Sequence, residues 1–140
     1  MTLEFRSKLM QFVAIGFMLF SITWALAPYT SINLPSRFII DLLDWPLNNL
    51  SAELSREVKW LSSIGAGLLI AFSIFLSGIV APAILANDKK IINVSKFAII
   101  AWYVVDSAGS IASGVMSNAI FNSLFFIMVM VPLVGIKNKQ

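Results

Sequence analysis

From Trp60 to Leu85 the chain carries no charged residue, and about 20 such residues suffice to cross the hydrocarbon core of a bilayer. In lipid every backbone N–H and C=O must find a partner inside the protein, so the run is expected to be a helix. Three more largely apolar runs follow the same logic: Leu9 to Ala27, Phe97 to Gly114 with a single acid, and Ala119 to Ile136. The expected fold is therefore all-α, an integral membrane antiparallel four-helix bundle that occupies residues 1–140 as a single transmembrane domain.

Composition leaves little room for anything else. Hydrophobic residues make up 59% of the 140 and charged residues 12%, against roughly 25% charged in soluble domains. With short connections, four spans use up the chain and leave no soluble catalytic domain. Cysteine and histidine are both absent, which excludes disulfides, thiolate nucleophiles and His-based metal sites. No catalytic constellation can be assembled from what remains, so no enzyme, no cofactor and no metal site is expected. The net charge of +3 comes from basic residues gathered at span ends, which suits anionic headgroups and leaves no basic surface for nucleic acid.

Those charges also orient the chain. Arg6, Lys8, Lys89, Lys90, Lys96, Lys137 and Lys139 fall on one side of the spans, and Arg37, Arg56 and Lys59 on the other. Seven against three places both termini in the cytoplasm. Trp24, Tyr29, Trp45 and Trp60 then lie near the outer interface, where amphipathic rings are favoured. The first run also imitates a secretory signal, with Ala25-Leu26-Ala27 as a small-x-small site, but its length and the following Pro28 favour an uncleaved anchor.

The connections have patterns of their own. Ser36 to Trp45 sets Arg37, Asp41 and Asp44 opposite Phe38, Ile39, Leu42 and Leu43, a short amphipathic helix that either lies on the membrane surface or caps the bundle's outer mouth. Ser51 is the expected N-cap of the second span, with Glu53 in its first turn and Arg56 to pair with it. Asp41, Asp44, Glu53 and Glu57 read as a solvated face, since they lack the alternating spacing of a calcium loop. Pro82 should kink or end the second span, and Asn87 to Lys96 reads as a basic connection.

Small residues mark packing faces. Ser63, Gly67, Ala71, Ile74, Gly78 and Ala81 recur at helical spacing along span two, and Gly109, Ser113, Ser110 and Gly114 form small-xxx-small pairs on span three.

Asp106 is the one acid inside a span. At the bilayer centre it costs at least ~2.5 kcal/mol unless protonated, hydrogen-bonded or exposed to a watery cleft. If the turn after span three centres near Val115, residues numbered to a sum of roughly 230 are level, which makes Asn122 the expected partner. Ser107, Ser110 and Thr23 could extend the network, and Asn118 lies one turn from Asn122. The expected role of Asp106, Ser110, Asn118 and Asn122 is a polar clamp, at about 0.6 kcal/mol per bond. The alternatives are a cleft in which Asp106 binds a ligand or a proton, and a partner protein's basic residue that neutralises it in a complex. Trp102-Tyr103 reads as packing.

The run Ser55 to Gly67, the Asp106-Ser107-x-Gly109-Ser110 stretch and the downstream Asn118 and Asn122 resemble small four-span bacterial membrane proteins, DoxX-like in outline. The resemblance implies a bacterial inner membrane and an antiparallel bundle, and no catalytic residue. The expected function is a structural or accessory subunit packing in a homo-oligomer or a larger membrane complex. The alternative is a small-ligand or proton-linked module centred on Asp106.

Overall fold

A computed structural model describes residues 1–136, and those residues are helical with no strand. The helices are α1 (Leu3–Trp24), α2 (Leu34–Leu43), α3 (Arg56–Phe75), α4 (Ala81–Ala86), α5 (Lys89–Ala112) and α6 (Met116–Leu133), with a π-turn at Leu76–Val80 joining α3 to α4. Four helices are long and apolar enough to cross a membrane: Leu3–Trp24, the continuous Arg56–Ala86, Lys89–Ala112 and Met116–Leu133. Lys137 and Lys139 lie outside the described residues.

Three of the helices, α1, α3 and α5, begin where a side chain serves their unpaired backbone N–H groups. Thr2 accepts from the Phe5 N–H, so α1 starts well before the apolar run does. Ser55, not Ser51, caps α3 by accepting from Val58 N–H, which leaves Glu53 in the loop and puts Glu57 in the first turn. The long second span does not stop at Pro82. The π-turn absorbs the proline, which has no N–H and whose ring crowds the carbonyl a turn earlier.

The two tight turns share one device. Asn87 and Gly114 both take positive φ, 57° and 82°, just past a helix end. In each the next N–H reaches back to close the turn: Asp88 to the Ala83 carbonyl at 2.9 Å and Val115 to the Ser110 carbonyl at 2.9 Å. Asp88 then caps α5, accepting from Lys90 and Ile91, so the expected basic connection of residues 87–96 is a two-residue turn and the first turns of a helix. Gly114 is thus a turn residue and not part of a packing face.

The helices pack in the order α3, α1, α6, α5. α1 runs along α3, the π-turn, α4 and α6, while α5 pairs with α6. α3 and α5 share no packed face, and the second long helix meets α5 only at its π-turn and α4. The bundle is thus closed near the termini and splayed at the other end.

Near the termini the core is dense. Met10, Leu76, Val80, Ile84, Ile92, Val129 and Leu133 form one fully buried cluster. Arg6, only 7% exposed, donates to the carbonyls of Val131, Pro132 and Val134, which the end of α6 leaves without helical partners. Ser7 donates to the Ala81 carbonyl at 2.7 Å, and Lys89 to that of Ile136 at 2.8 Å.

At the splayed end α2 folds across the mouth. Ser36 donates to the carbonyls of Thr23 (2.6 Å) and Trp24 (3.1 Å), and Ser117 of α6 donates to the Leu43 carbonyl at 2.6 Å. Of the two readings for this helix, the cap is what forms. One acid of its polar side is not solvated: Asp41 is 5% exposed and accepts from Asn49 N–H, tying down the loop that follows, whereas Asp44, Glu53 and Glu57 are exposed.

The small-residue stripe of the second span faces away from the other helices. Ser63, Gly67, Ala71, Ile74 and Gly78 are exposed, and a Cβ added at Gly67, Gly78 or Gly109 meets nothing within 4 Å. Within the chain the span packs through Ser62, Ala66, Ser73, Leu76 and Val80, one residue round from the expected stripe, together with Ala81. Gly65 differs, since a Cβ there would sit 2.3 Å from the Trp24 ring, so the tryptophan that ends α1 packs directly against the α3 backbone. Ser113 is also exposed.

Candidate functional site

The gap between α3 and α5 encloses two cavities. The one beneath α2 has a volume of about 640 Å³ and is walled by Trp24, Leu43, Asp44, Ser62, Asp106 and Asn118, among others. The deeper one, about 500 Å³, is lined by Phe17, Phe72, Phe125, Leu68, Ala98 and Trp102, among others. Asp106 and Leu43 belong to both, so the acid stands at their boundary. Leu68, Ala98 and Trp102 are exposed while lining the deeper cavity, which therefore opens sideways between α3 and α5.

Helix geometry places the polar groups. Asp106 and Ser110 are one turn apart on α5, and Asn118 and Asn122 one turn apart on α6, so the two ladders face each other across an antiparallel pair. The Asn118 amide donates to the Ser110 hydroxyl at 2.7 Å and to Asp106 Oδ1 at 3.3 Å. Ser110 donates to the Asp106 backbone carbonyl at 2.8 Å and stands 3.3 Å from Oδ1. Asn122, the expected partner of Asp106, instead reaches Ser107 at 3.5 Å. The register is close to the expected one, with Ser110 opposite Asn118 and Ser107 opposite Asn122, so the difference lies in the face: Asn122 turns to Ser107 beside the acid, and Asp106 takes a long diagonal contact with Asn118. The Tyr103 and Ser123 hydroxyls, 2.9 Å apart, add a third bridge.

Two consequences follow for Asp106. Both of its side-chain bonds go to Oδ1 and both are long, whereas the short interhelical bond joins Asn118 to Ser110. Among the described residues Oδ2 has no partner, and no basic side chain lines either cavity. Thr23 bonds back to its own helix at Leu19, and α1 does not pack on α5, so it stays outside the cluster.

The deeper cavity has an aromatic wall. Phe17 and Phe125 meet edge to face at 5.2 Å, Phe20 and Phe125 at 5.6 Å. Trp102, read from the sequence as packing, lines this space, and Asp44, read as part of a solvated face, stands at the mouth of the upper one. Neither carries a signal in the sequence, because each depends on how far α3 and α5 stand apart. Among the described residues no three acids converge as metal ligands.

The chain matches no family model, no curated protein and no solved structure in the comparisons made.

Proposed function

We propose that this chain is a multi-pass protein of a bacterial inner membrane, an antiparallel four-helix bundle with both termini cytoplasmic, that binds a small membrane-dissolved molecule in the slot between α3 and α5. The observation that carries the reading is the position of Asp106: a half-buried acid at the boundary of two cavities, with one oxygen unbonded and no basic neighbour. An intramembrane acid is costly, and such residues face cavities that use them. The polar clamp between α5 and α6 is carried by Asn118, Ser110, Tyr103 and Ser123, which frees Asp106 for another task.

The slot suits a molecule with a polar end and an apolar body. Its upper part holds hydroxyl, amide and carboxylate groups, its lower part aromatic and aliphatic ones, and its side opening faces lipid when the four helices span a bilayer.

The test uses the protein's own fluorescence. Of its four tryptophans only Trp24 and Trp102 line the slot, so Trp45→Phe and Trp60→Phe leave two reporters. In lipid nanodiscs, 11-bromoundecanol should quench them saturably. Ala98→Phe, which fills the deeper cavity from an exposed position, should abolish saturation. Quenching that rises linearly and ignores Ala98→Phe would count against the slot.

A second reading, an accessory subunit, is supported by the bare stripe of Ser63, Gly67, Ala71 and Gly78 on α3 and the π-turn, where another helix could approach closely. Purification in mild detergent that gives only monomer would count against it.

A further inference from the structure

The slot has a charge preference as well as a shape. Among the described residues its walls carry two acids, Asp106 at the boundary and Asp44 at the mouth, and no lysine or arginine. A carboxylate facing a low-dielectric cavity is neutralised by a proton, by a basic side chain or by a bound cation, and the protein supplies no basic side chain there. In the ionised acid the unbonded Oδ2 is purely an acceptor, and its strongest complement is an N–H donor that bears positive charge. Below it, Phe17, Phe20, Phe125 and Trp102 line the space that the rest of the molecule would fill, which suits an apolar body.

We propose that the slot takes a cationic amphiphile, a protonated amine on an apolar body, whose ammonium donates to Asp106 Oδ2 while its body lies in the deeper cavity. This rests on the slot being a binding site at all. Asp44 at the mouth draws the cation inward, and the side opening between α3 and α5 lets the apolar body enter from the bilayer. The Asn118 and Ser110 bonds to Oδ1 hold the carboxylate in place for the exchange.

The experiment varies the head and keeps the tail. In zwitterionic nanodiscs at neutral pH, the two-tryptophan protein is titrated with 11-bromoundecylamine, 11-bromoundecanol and 11-bromoundecanoate. Apparent affinities are corrected for each probe's partitioning into protein-free nanodiscs. The amine should saturate at least about tenfold lower than the alcohol, and the carboxylate should bind weakest. Asp106→Asn, which keeps the shape and hydrogen bonding, should bring amine and alcohol to about the same affinity while alcohol binding persists. Equal binding of amine and alcohol by the parent protein overturns the charge preference and leaves the slot standing. A tenfold preference that survives Asp106→Asn overturns the role of Asp106. Failure of all three probes to saturate overturns the slot itself.

Discussion

The two ends of the bundle differ in how their polar groups are used. Near the termini the buried Arg6 and Ser7 and the half-buried Lys89 are spent on structure: Arg6 holds the end of α6, Ser7 holds α4, and Lys89 reaches the Ile136 carbonyl. At the α2 end the short bonds belong to Ser36, Ser117 and Asn118, while Asp106 keeps an oxygen free beside a cavity. In lipid there is little hydrophobic drive between helices, so tight packing and hydrogen bonds decide which helices stay together. Where both are present the bundle closes, and where α3 and α5 have neither it opens. The contrast teaches that the splay is built by omission, with no bond and no packed face between those two helices.

Breaking the closed end should cost most. Arg6→Leu leaves three carbonyls at the end of α6 without their donor in a buried place, and we expect a loss of about 3 kcal/mol in thermal or denaturant unfolding in detergent. Gly65→Val acts at the other end, where its side chain collides with the Trp24 ring. The ring must swing out, at about 1–3 kcal/mol, and Trp24 emission should shift to the red.

Smaller effects separate the clamp from the acid beside it. Asn118→Leu removes the 2.7 Å bond to Ser110 and the contact with Asp106, and should cost about 1–2 kcal/mol. Asp106→Leu removes two long contacts only and should cost about 0.6 kcal/mol or less in the same assay. If Asp106→Leu proved the more damaging of the two, Asp106 would be the clamp and the contrast between the ends would lose its main support.

Much of the fold is legible in the sequence, and the parts that are not share a cause. Four apolar runs, three of them free of charge and one holding only Asp106, mark the long helices, and the alternation of Arg37 and Asp41 with Phe38 and Leu42 marks α2. Which face of a helix turns inward is harder to read. In a membrane protein both faces are apolar or small, so Ser63, Gly67 and Gly78 look like a packing stripe although Ser62, Ala66 and Ser73 are the buried set. The buried serines are cheap there because Ser73 donates to the Leu69 carbonyl at 2.7 Å within its own helix.

The candidate site was legible in part. Asp106, Ser110 and Asn118 do converge, because residues one turn apart on antiparallel neighbours must meet. The choice between Asn118 and Asn122 turned on side-chain direction, since Asn122 is level with Asp106 yet bonds to Ser107 beside it, and spacing along the sequence carries no signal for that. The slot was not legible, since it comes from two helices that fail to touch.

The central claim is that Asp106 faces an open slot at the α2 end and is not sealed between helices. Gly109 lies one turn along α5 from Asp106, lines the upper cavity and has free space where a side chain would go, and the protein has no native cysteine to interfere. The direct measurement is the labelling rate of Gly109→Cys in nanodiscs with a membrane-impermeant maleimide, with and without 11-bromoundecylamine. The account predicts rapid labelling of the folded protein that slows as the amine fills the slot. A cysteine that reacts only after denaturation, or at a rate the amine does not change, would contradict it.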